Sequence, residues 1–264
     1  MSSAVLPRQQ GRHVVVTGAG TGIGQAIALR LAREGATVSL FGRRIERLQE
    51  TAGLIRAAGA RPAFLQSCDI DDAASVDAAF AAAAHAEGPV DVLCANAGIG
   101  GPNEVGAADR YVALIQTNLI GTYHCVRAAQ RHLALGPTAR HIVVTASILG
   151  RFGVPGYTGY CASKTGLIGL VRALALELAQ DNVLVNAICP GWVATDMAWE
   201  GIEGMAKGMG ITREQAYAQA MAAVPLGRMG RPEEIAGMVA WLVSEDGNGV
   251  TGQAIDQNGG AWMG

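Results

Sequence analysis

Tyr160 and Lys164 stand four residues apart in Tyr-Cys-Ala-Ser-Lys, within an Ala/Leu-rich stretch of helical period. That spacing puts both side chains on one helix face. An ammonium beside a phenol lowers the phenol pKa from about 10 toward the range in which it can donate or accept a proton. Ser147 lies thirteen residues before Tyr160, just past an apolar strand. A hydroxyl at the carboxyl end of such a strand faces the crevice of a parallel sheet. Taken alone a Tyr/Lys pair at this spacing is most often structural, so its meaning depends on what surrounds it.

A second constellation lies near the start. Thr17-Gly18-Ala19-Gly20-Thr21-Gly22-Ile23-Gly24 follows a β-branched run and opens an amphipathic segment. Glycines at such a strand-to-helix turn let backbone N–H groups approach a pyrophosphate, whose charge the helix N-terminus stabilises. The spacing is Gly-x-x-x-Gly-x-Gly; Ile23 and Gln25 occupy the places where Gly-x-Gly-x-x-Gly would need glycine. The second predicted strand ends Phe41-Gly42-Arg43-Arg44, with no acidic residue closer than Glu34 and Glu46. An acid there would bind the adenosine ribose hydroxyls of NAD(H), whereas a small Gly42 followed by Arg43 and Arg44 leaves room and charge for a 2′-phosphate. Cations at a helix start oppose its dipole and need a reason. NADP(H) is favoured, and NAD(H) is the alternative.

These residues require a scaffold. Short β-branched runs at His13–Thr17, Thr37–Phe41, Arg61–Gln66, Val90–Ala95, His141–Ala146, Val183–Cys189 and Gln253–Asp256 predict strands. Helical periods near Gly22–Glu34, Arg43–Ala58, Asp72–Ala86, Ala107–Leu135, Tyr157–Gln180 and Pro232–Ser244 alternate with them. The alternation predicts an α/β fold: one Rossmann-like, doubly wound parallel sheet spanning residues 1–264, with an N-terminal extension at 1–11. One segment, 192–225, is too long for an ordinary connection and reads as a short helical substrate lid. Ile211 to Met221 within it has a capped helical pattern, and Gly201, Gly204, Gly208 and Gly210 are expected to make it mobile.

Composition narrows the function classes. Of 264 residues half are apolar and 16% are charged, which excludes a disordered chain. The 36 glycines follow no collagen period, so they mark turns and close approaches in a folded domain. The net charge of −2 provides no basic excess for nucleic acid. No 18-residue apolar run points to a membrane, and the first ten residues lack a secretory signal's apolar stretch. Cys68, Cys94, Cys125, Cys161 and Cys189 show no CxxC and no zinc spacing, so reduced thiols in a cytoplasmic protein and no metal site are expected. The five histidines lie away from the proposed proton-transfer set and read as core or solvated side chains.

Taken together and in order, Thr17 to Gly24, Asn96-Ala97-Gly98, Asn118, Ser147, Tyr160, Lys164, and Pro190-Gly191 with Thr195 resemble the short-chain dehydrogenase/reductase family over nearly the full length. The resemblance implies that Tyr160 is the acid/base and that Ser147 hydrogen-bonds the substrate oxygen. It also implies that Lys164 holds the nicotinamide ribose and lowers the Tyr160 pKa, while Asn118 bends its helix and positions a water in the proton relay. Asp69 and Ile70 match the adenine-contacting pair, Asn96 the residue that steadies the central sheet, and Gly98 borders the nicotinamide cleft. Pro190, Gly191, Val193 and Thr195 match the segment at the nicotinamide and its carboxamide. The implied reaction is direct hydride transfer between a ketone and a secondary alcohol, and the implied assembly a homotetramer. Two departures stand out: Thr21 occupies a position often basic in NADP-preferring members, and Cys94-Ala95 precedes Asn96 where a second asparagine is common.

The substrate-side segments offer Ile148, Leu149, Phe152, Tyr157, Trp192, Met197 and Trp199, an apolar lining suited to aliphatic, aromatic or polyketide-like ketones. The lid length and Pro225-Leu-Gly-Arg-Met-Gly-Arg-Pro-Glu-Glu resemble β-ketoacyl and polyketide ketoreductases. Ile99-Gly-Gly-Pro does not reproduce their Pro-Gly-Gly order. The direction of reaction stays open. So do two rivals: an NAD-linked secondary alcohol dehydrogenase, and a catalytically silent dinucleotide-binding sensor or scaffold.

Overall fold

Strands rich in Val and Ile are buried on both sides when helices cover both faces of a parallel sheet, and the computed structural model, which describes residues 7–264, has that layering. Residues 1–6 of the expected N-terminal extension lie outside the described residues. Seven parallel strands run β1 (His13–Thr17), β2 (Thr37–Gly42), β3 (Phe64–Ser67), β4 (Val92–Ala95), β5 (Arg140–Thr145), β6 (Val183–Pro190) and β7 (Ala254–Gln257). Their spatial order is β3-β2-β1-β4-β5-β6-β7. Val15 of β1 points into the core beneath α3 (Ala73–Glu87), α5 (Thr122–Gln130) and α6 (Thr158–Leu178). Its neighbours Val14 and Val16 point to the opposite face, covered by α1 (Gly22–Arg33), α2 (Ile45–Ala57) and α9 (Pro232–Leu242). The order reverses between β1 and β4, and a crevice opens at the carboxyl ends of strands at such a switch point.

Two regions depart from the sequence expectation. The helix expected over Ala107–Leu135 is three pieces: α4 (Tyr111–Ile115), a π-turn at Gln116–Gly121, and α5. A π-turn adds one residue to the backbone ring and bends the axis. The bend falls at Asn118, where the family resemblance places one.

The lid is more ordered than its glycines suggest. Gly201, Gly204 and Gly208 lie inside α7 (Asp196–Met209), and Gly210 ends that helix in the left-handed conformation at φ 65°. Helix α8 (Arg213–Ala222) follows, opened by a reciprocal Thr212/Gln215 capping box. The two helices form a hairpin with its own small core of Ala198, Ile202, Ala206, Ala216, Ala220 and Met221. Helix α7 is amphipathic enough to bury one face, which offsets the helix cost of its three glycines.

Candidate active site

The glycine turn is held by contacts on all sides. A Cβ on Gly24 would lie 2.2 Å from the Gly18 carbonyl oxygen, and one on Gly18 would lie 2.9 Å from Ala97 Cα. Gly20 abuts Arg47, and a Cβ on Gly22 would stand 2.9 Å from the Thr195 methyl. Three of the four glycines thus let protein approach protein, and Gly22 borders the cleft across from Thr195. Thr21 precedes α1 without a side-chain cap, and the first turn, with Ile23, has no acidic residue. Free N–H groups and an uncompensated positive dipole end fit a phosphate-bearing cofactor.

Asn96 ties three strands together at this end. Its backbone N–H bonds Thr17 Oγ1 at 3.0 Å, its Nδ2 donates to the Thr17 carbonyl at 3.2 Å, and its Oδ1 accepts from Thr145 Oγ1 at 3.2 Å. Thr145 in turn offers its carbonyl to Lys164 Nζ at 2.8 Å. Gly98 leaves the strand beside this group, its Cβ position 2.9 Å from Asn118 Oδ1 and 3.6 Å from Lys164 Nζ. Asn118 is fully buried, accepts from the Ile99 N–H at 2.8 Å, and donates to the Ile99 carbonyl at 3.0 Å and to Ser163 Oγ at 3.1 Å. The structure therefore brings Asn118, Ser147, Tyr160 and Lys164 into one cluster at the strand ends.

The electrostatics differ from the sequence expectation in one respect. Burial pushes the Lys164 ammonium down to about 8, with Cys189 opposing the shift. Burial also raises the Tyr160 phenol, and a hydrogen bond with Ser147 offsets part of the rise. The Lys164 Nζ is turned to the Thr145 carbonyl and sits 5.6 Å from the phenol ring centroid, and burial is the largest influence on Tyr160. Ser147 is buried, and its Oγ accepts the Leu149 N–H at 3.1 Å.

At the far end of the crevice Arg43 and Arg44 follow β2, exposed and with no acidic partner among the described residues. Unneutralised cations at the start of α2 fit an anionic ligand group. Asp69 is half-buried and turns back to accept the Asp71 N–H at 3.2 Å, while Ile70 packs under Gly121. Both lie at the end of β3, beside Arg43, whose carbonyl accepts from Ser67 Oγ.

Pro190 closes β6, and Gly191 passes so near Asn258 that a Cβ would sit 3.0 Å from its Cα. Val193 bridges to Gly230, and Thr195 caps α7 by accepting the Ala198 N–H at 3.4 Å. Of the expected substrate residues, Leu149 and Tyr157 are half-buried and both precede Tyr160 in sequence. Met197 folds over the loop after β4, its Sδ 2.9 Å from a Cβ position on Gly100. Trp192 packs on Gly201. Trp199 stacks on Tyr217 at 5.6 Å and under the Arg213 guanidinium, in the α7/α8 hairpin. An aromatic residue in an amphipathic helix looks alike in sequence whether its face turns to a cleft or a neighbouring helix. Thr145 and Ser163 escaped sequence reasoning, since Thr145 bonds Asn96 across strands and Ser163 bonds Asn118 across helices, contacts that no local spacing announces.

Among the described residues no cluster of His, Cys, Asp or Glu is placed to hold a metal ion, and no helix is long and apolar enough to cross a membrane. Residues 18–261 match the family described as enoyl-(acyl carrier protein) reductase. The chain is 34% identical over 256 residues to the 3-oxoacyl-[acyl-carrier-protein] reductase MabA of Mycobacterium tuberculosis, covering 96% of this chain and 94% of that protein. A variant of the actinorhodin polyketide ketoreductase with NADPH superposes with a TM-score of 0.88 at 35% identity, over 97% of this chain and 98% of the other. A short-chain dehydrogenase of Burkholderia cenocepacia in complex with NADP does so with 0.84 at 32% identity, over 96% and 99%.

Proposed function

The chain belongs to the short-chain dehydrogenase/reductase family, and from that premise we propose that it is an NADP(H)-dependent ketoreductase acting on an apolar, acyl- or polyketide-type β-keto group. The observation that carries the reading is the buried Lys164 ammonium, hydrogen-bonded to Thr145 in the same cluster as Tyr160, Ser147 and Asn118. Burying an ammonium without a carboxylate partner costs several kcal/mol, and such a position points to a functional site. The resemblance to MabA and to the actinorhodin ketoreductase supports the substrate class.

When bound, NADPH would supply the hydride that reduces the carbonyl carbon. The Thr21 to Gly24 backbone would hold its pyrophosphate, Arg43 and Arg44 its 2′-phosphate, Asp69 and Ile70 its adenine, and Pro190, Gly191, Val193 and Thr195 its carboxamide. Ser147 would donate to the carbonyl oxygen and fix its place. Tyr160 would give its phenolic proton to that oxygen as negative charge develops there. Lys164 would bind the nicotinamide ribose and bring its charge toward the phenol, and a water held at Asn118 would return the proton. Met197 and Trp192 cover the substrate from the lid, residues 192–225 of the single catalytic domain.

The test is a panel of β-ketoacyl thioesters and simple ketones, read by NADPH absorbance. Turnover of β-ketoacyl thioesters supports the reading. Preference for NADH that survives Arg43→Ala overturns the cofactor, and tight NADPH binding with no turnover on any member overturns the activity. The reading also takes the protein as a cytoplasmic homotetramer, supported by five free thiols and by exposed Ile120 in the π-turn, Tyr123 on α5 and Leu176 on α6. Sedimentation as a monomer would contradict that assembly.

A further inference from the structure

The helix that carries Tyr160 and Lys164 begins without a cap of its own. Tyr157, at its N-cap, makes no side-chain hydrogen bond, yet the first four N–H groups of a helix need partners. Gly159, the second residue of α6, donates its N–H to Asn103 Oδ1 at 2.8 Å, across a separation of 56 residues. The Asn103 backbone N–H bonds the Gly156 carbonyl at 2.6 Å, so the loop is pinned to the segment before α6 at two points. Asn103 is in turn oriented, its Nδ2 donating to Asp109 Oδ1 at 2.7 Å. That same carboxylate oxygen accepts the Tyr111 N–H at 2.8 Å, at the start of α4, the helix that leads into the π-turn at Asn118. One carboxamide and one carboxylate therefore hold the N-termini of both helices that deliver the proton-transfer residues.

The packing leaves no slack at this joint. A Cβ on Gly159 would lie 3.0 Å from both Asn103 Oδ1 and Tyr111 Cα, so the three segments meet at glycine distance. The loop that carries Asn103 also carries Gly100, on which Met197 of the lid rests. A movement of the lid against this loop is thus passed by Asn103 to the residue adjacent to Tyr160.

We propose that Asn103, oriented by Asp109, is a positioning residue that locks the N-terminus of the Tyr160 helix to the loop over the substrate. The inference rests on Tyr160 being the acid/base of the proposed ketoreductase. Removing the carboxamide frees the Gly159 N–H and one turn of α6, so Tyr160 samples positions from which it cannot reach the substrate oxygen.

The experiment compares Asn103→Ala, Asn103→Asp and the double variant Asn103→Asp/Asp109→Asn in the full chain. A carboxylate at 103 can accept from Gly159 but is repelled by Asp109; in the double variant the carboxylate at 103 accepts from both the Gly159 N–H and the carboxamide at 109, which removes the repulsion and restores the contact at the start of α6, while the Tyr111 N–H gives up its acceptor. The readouts are kcat and KM for a β-ketoacyl thioester, the Kd for NADPH, and amide hydrogen exchange of residues 158–164. Asn103→Ala and Asn103→Asp are expected to lower kcat about fivefold, the equivalent of one helix cap. KM and the NADPH Kd should stay within about twofold, exchange should quicken at 158–164 alone, and the double variant should recover on both counts. Unchanged kcat or unchanged exchange in Asn103→Ala overturns the proposal, as does exchange that quickens throughout the protein or a double variant that does not recover. Exchange needs no turnover, so a wild type inactive on every ketone refutes the ketoreductase reading while the joint is still measured.

Discussion

Tyr160 and Lys164 share one buried site, and burial opposes the charged form of each: the phenol is raised and the ammonium is lowered to about 8. Tyr160→Phe removes only the proton donor, so kcat should fall by about 10²–10⁴-fold with the NADPH Kd within about twofold. Single-turnover kinetics and a fluorescence titration check both, and retention of most activity refutes the role. Lys164 gives a pH prediction of definite sign. In the proposed reading its ammonium form binds the nicotinamide ribose and supports the phenol, and that form is lost as pH rises through about 8. NADPH affinity should therefore be highest below pH 8 and decline above it. Lys164→Arg, whose guanidinium stays charged throughout, should flatten the curve even though its bulk weakens binding overall. Titrations across roughly pH 7 to 10 decide the matter.

At the scale of elements the glycines divide by what a Cβ would meet. Gly24→Ala sets a methyl 2.2 Å from the Gly18 carbonyl oxygen, a backbone atom with nowhere to go. That substitution should destabilise the protein by about 1–3 kcal/mol or more and abolish NADPH binding. Gly204 lies exposed within α7 with open space around its Cβ position. Gly204→Ala should instead stabilise by about 0.5–1 kcal/mol, as expected of a helix-interior glycine. Denaturant melts of the two variants should move in opposite directions, and a destabilised Gly204→Ala would mean that α7 is not helical there in solution. The π-turn offers a third case, since Asn118→Leu leaves the Ile99 N–H and carbonyl without their partners. Each buried unpaired group costs about 1–3 kcal/mol, so stability and turnover should fall together.

Across the whole molecule, a polar layer lies at the amino ends of the strands, opposite the active site. His141 is buried on β5 with its Nδ1 unpartnered, and burial together with the nearby Arg12 guanidinium drops its pKa from 6.5 to about 3. Below about pH 6.5 the unfolded chain takes up a proton that the folded chain refuses, so stability is full above that pH and declines as pH falls toward about 3. Thermal melts in that window should fall with pH, and His141→Gln should reduce the slope by close to one proton. An unchanged slope would place the acid sensitivity elsewhere, His13 being the next buried imidazole with a lowered pKa.

Much of this architecture is local in origin and was legible in the chain. Alternating β-branched and Ala/Leu periods locate all seven strands and most helices to within a few residues, because a sheet covered on both faces demands continuous apolar runs. The Tyr160/Lys164 spacing, the glycine turn and the Arg43-Arg44 pair are each ambiguous alone and point to one chemistry only when read together and in order. What only the tertiary structure decided depends on partners distant in sequence. Trp199 turns into the lid hairpin, the lid glycines are absorbed into α7, Lys164 is held by Thr145, and Gly159 is capped from Asn103. The physical reason is common to all four: a hydrogen bond or a packed face has no period along the chain, and its energy exists only once separate segments have been brought within a few ångströms of each other.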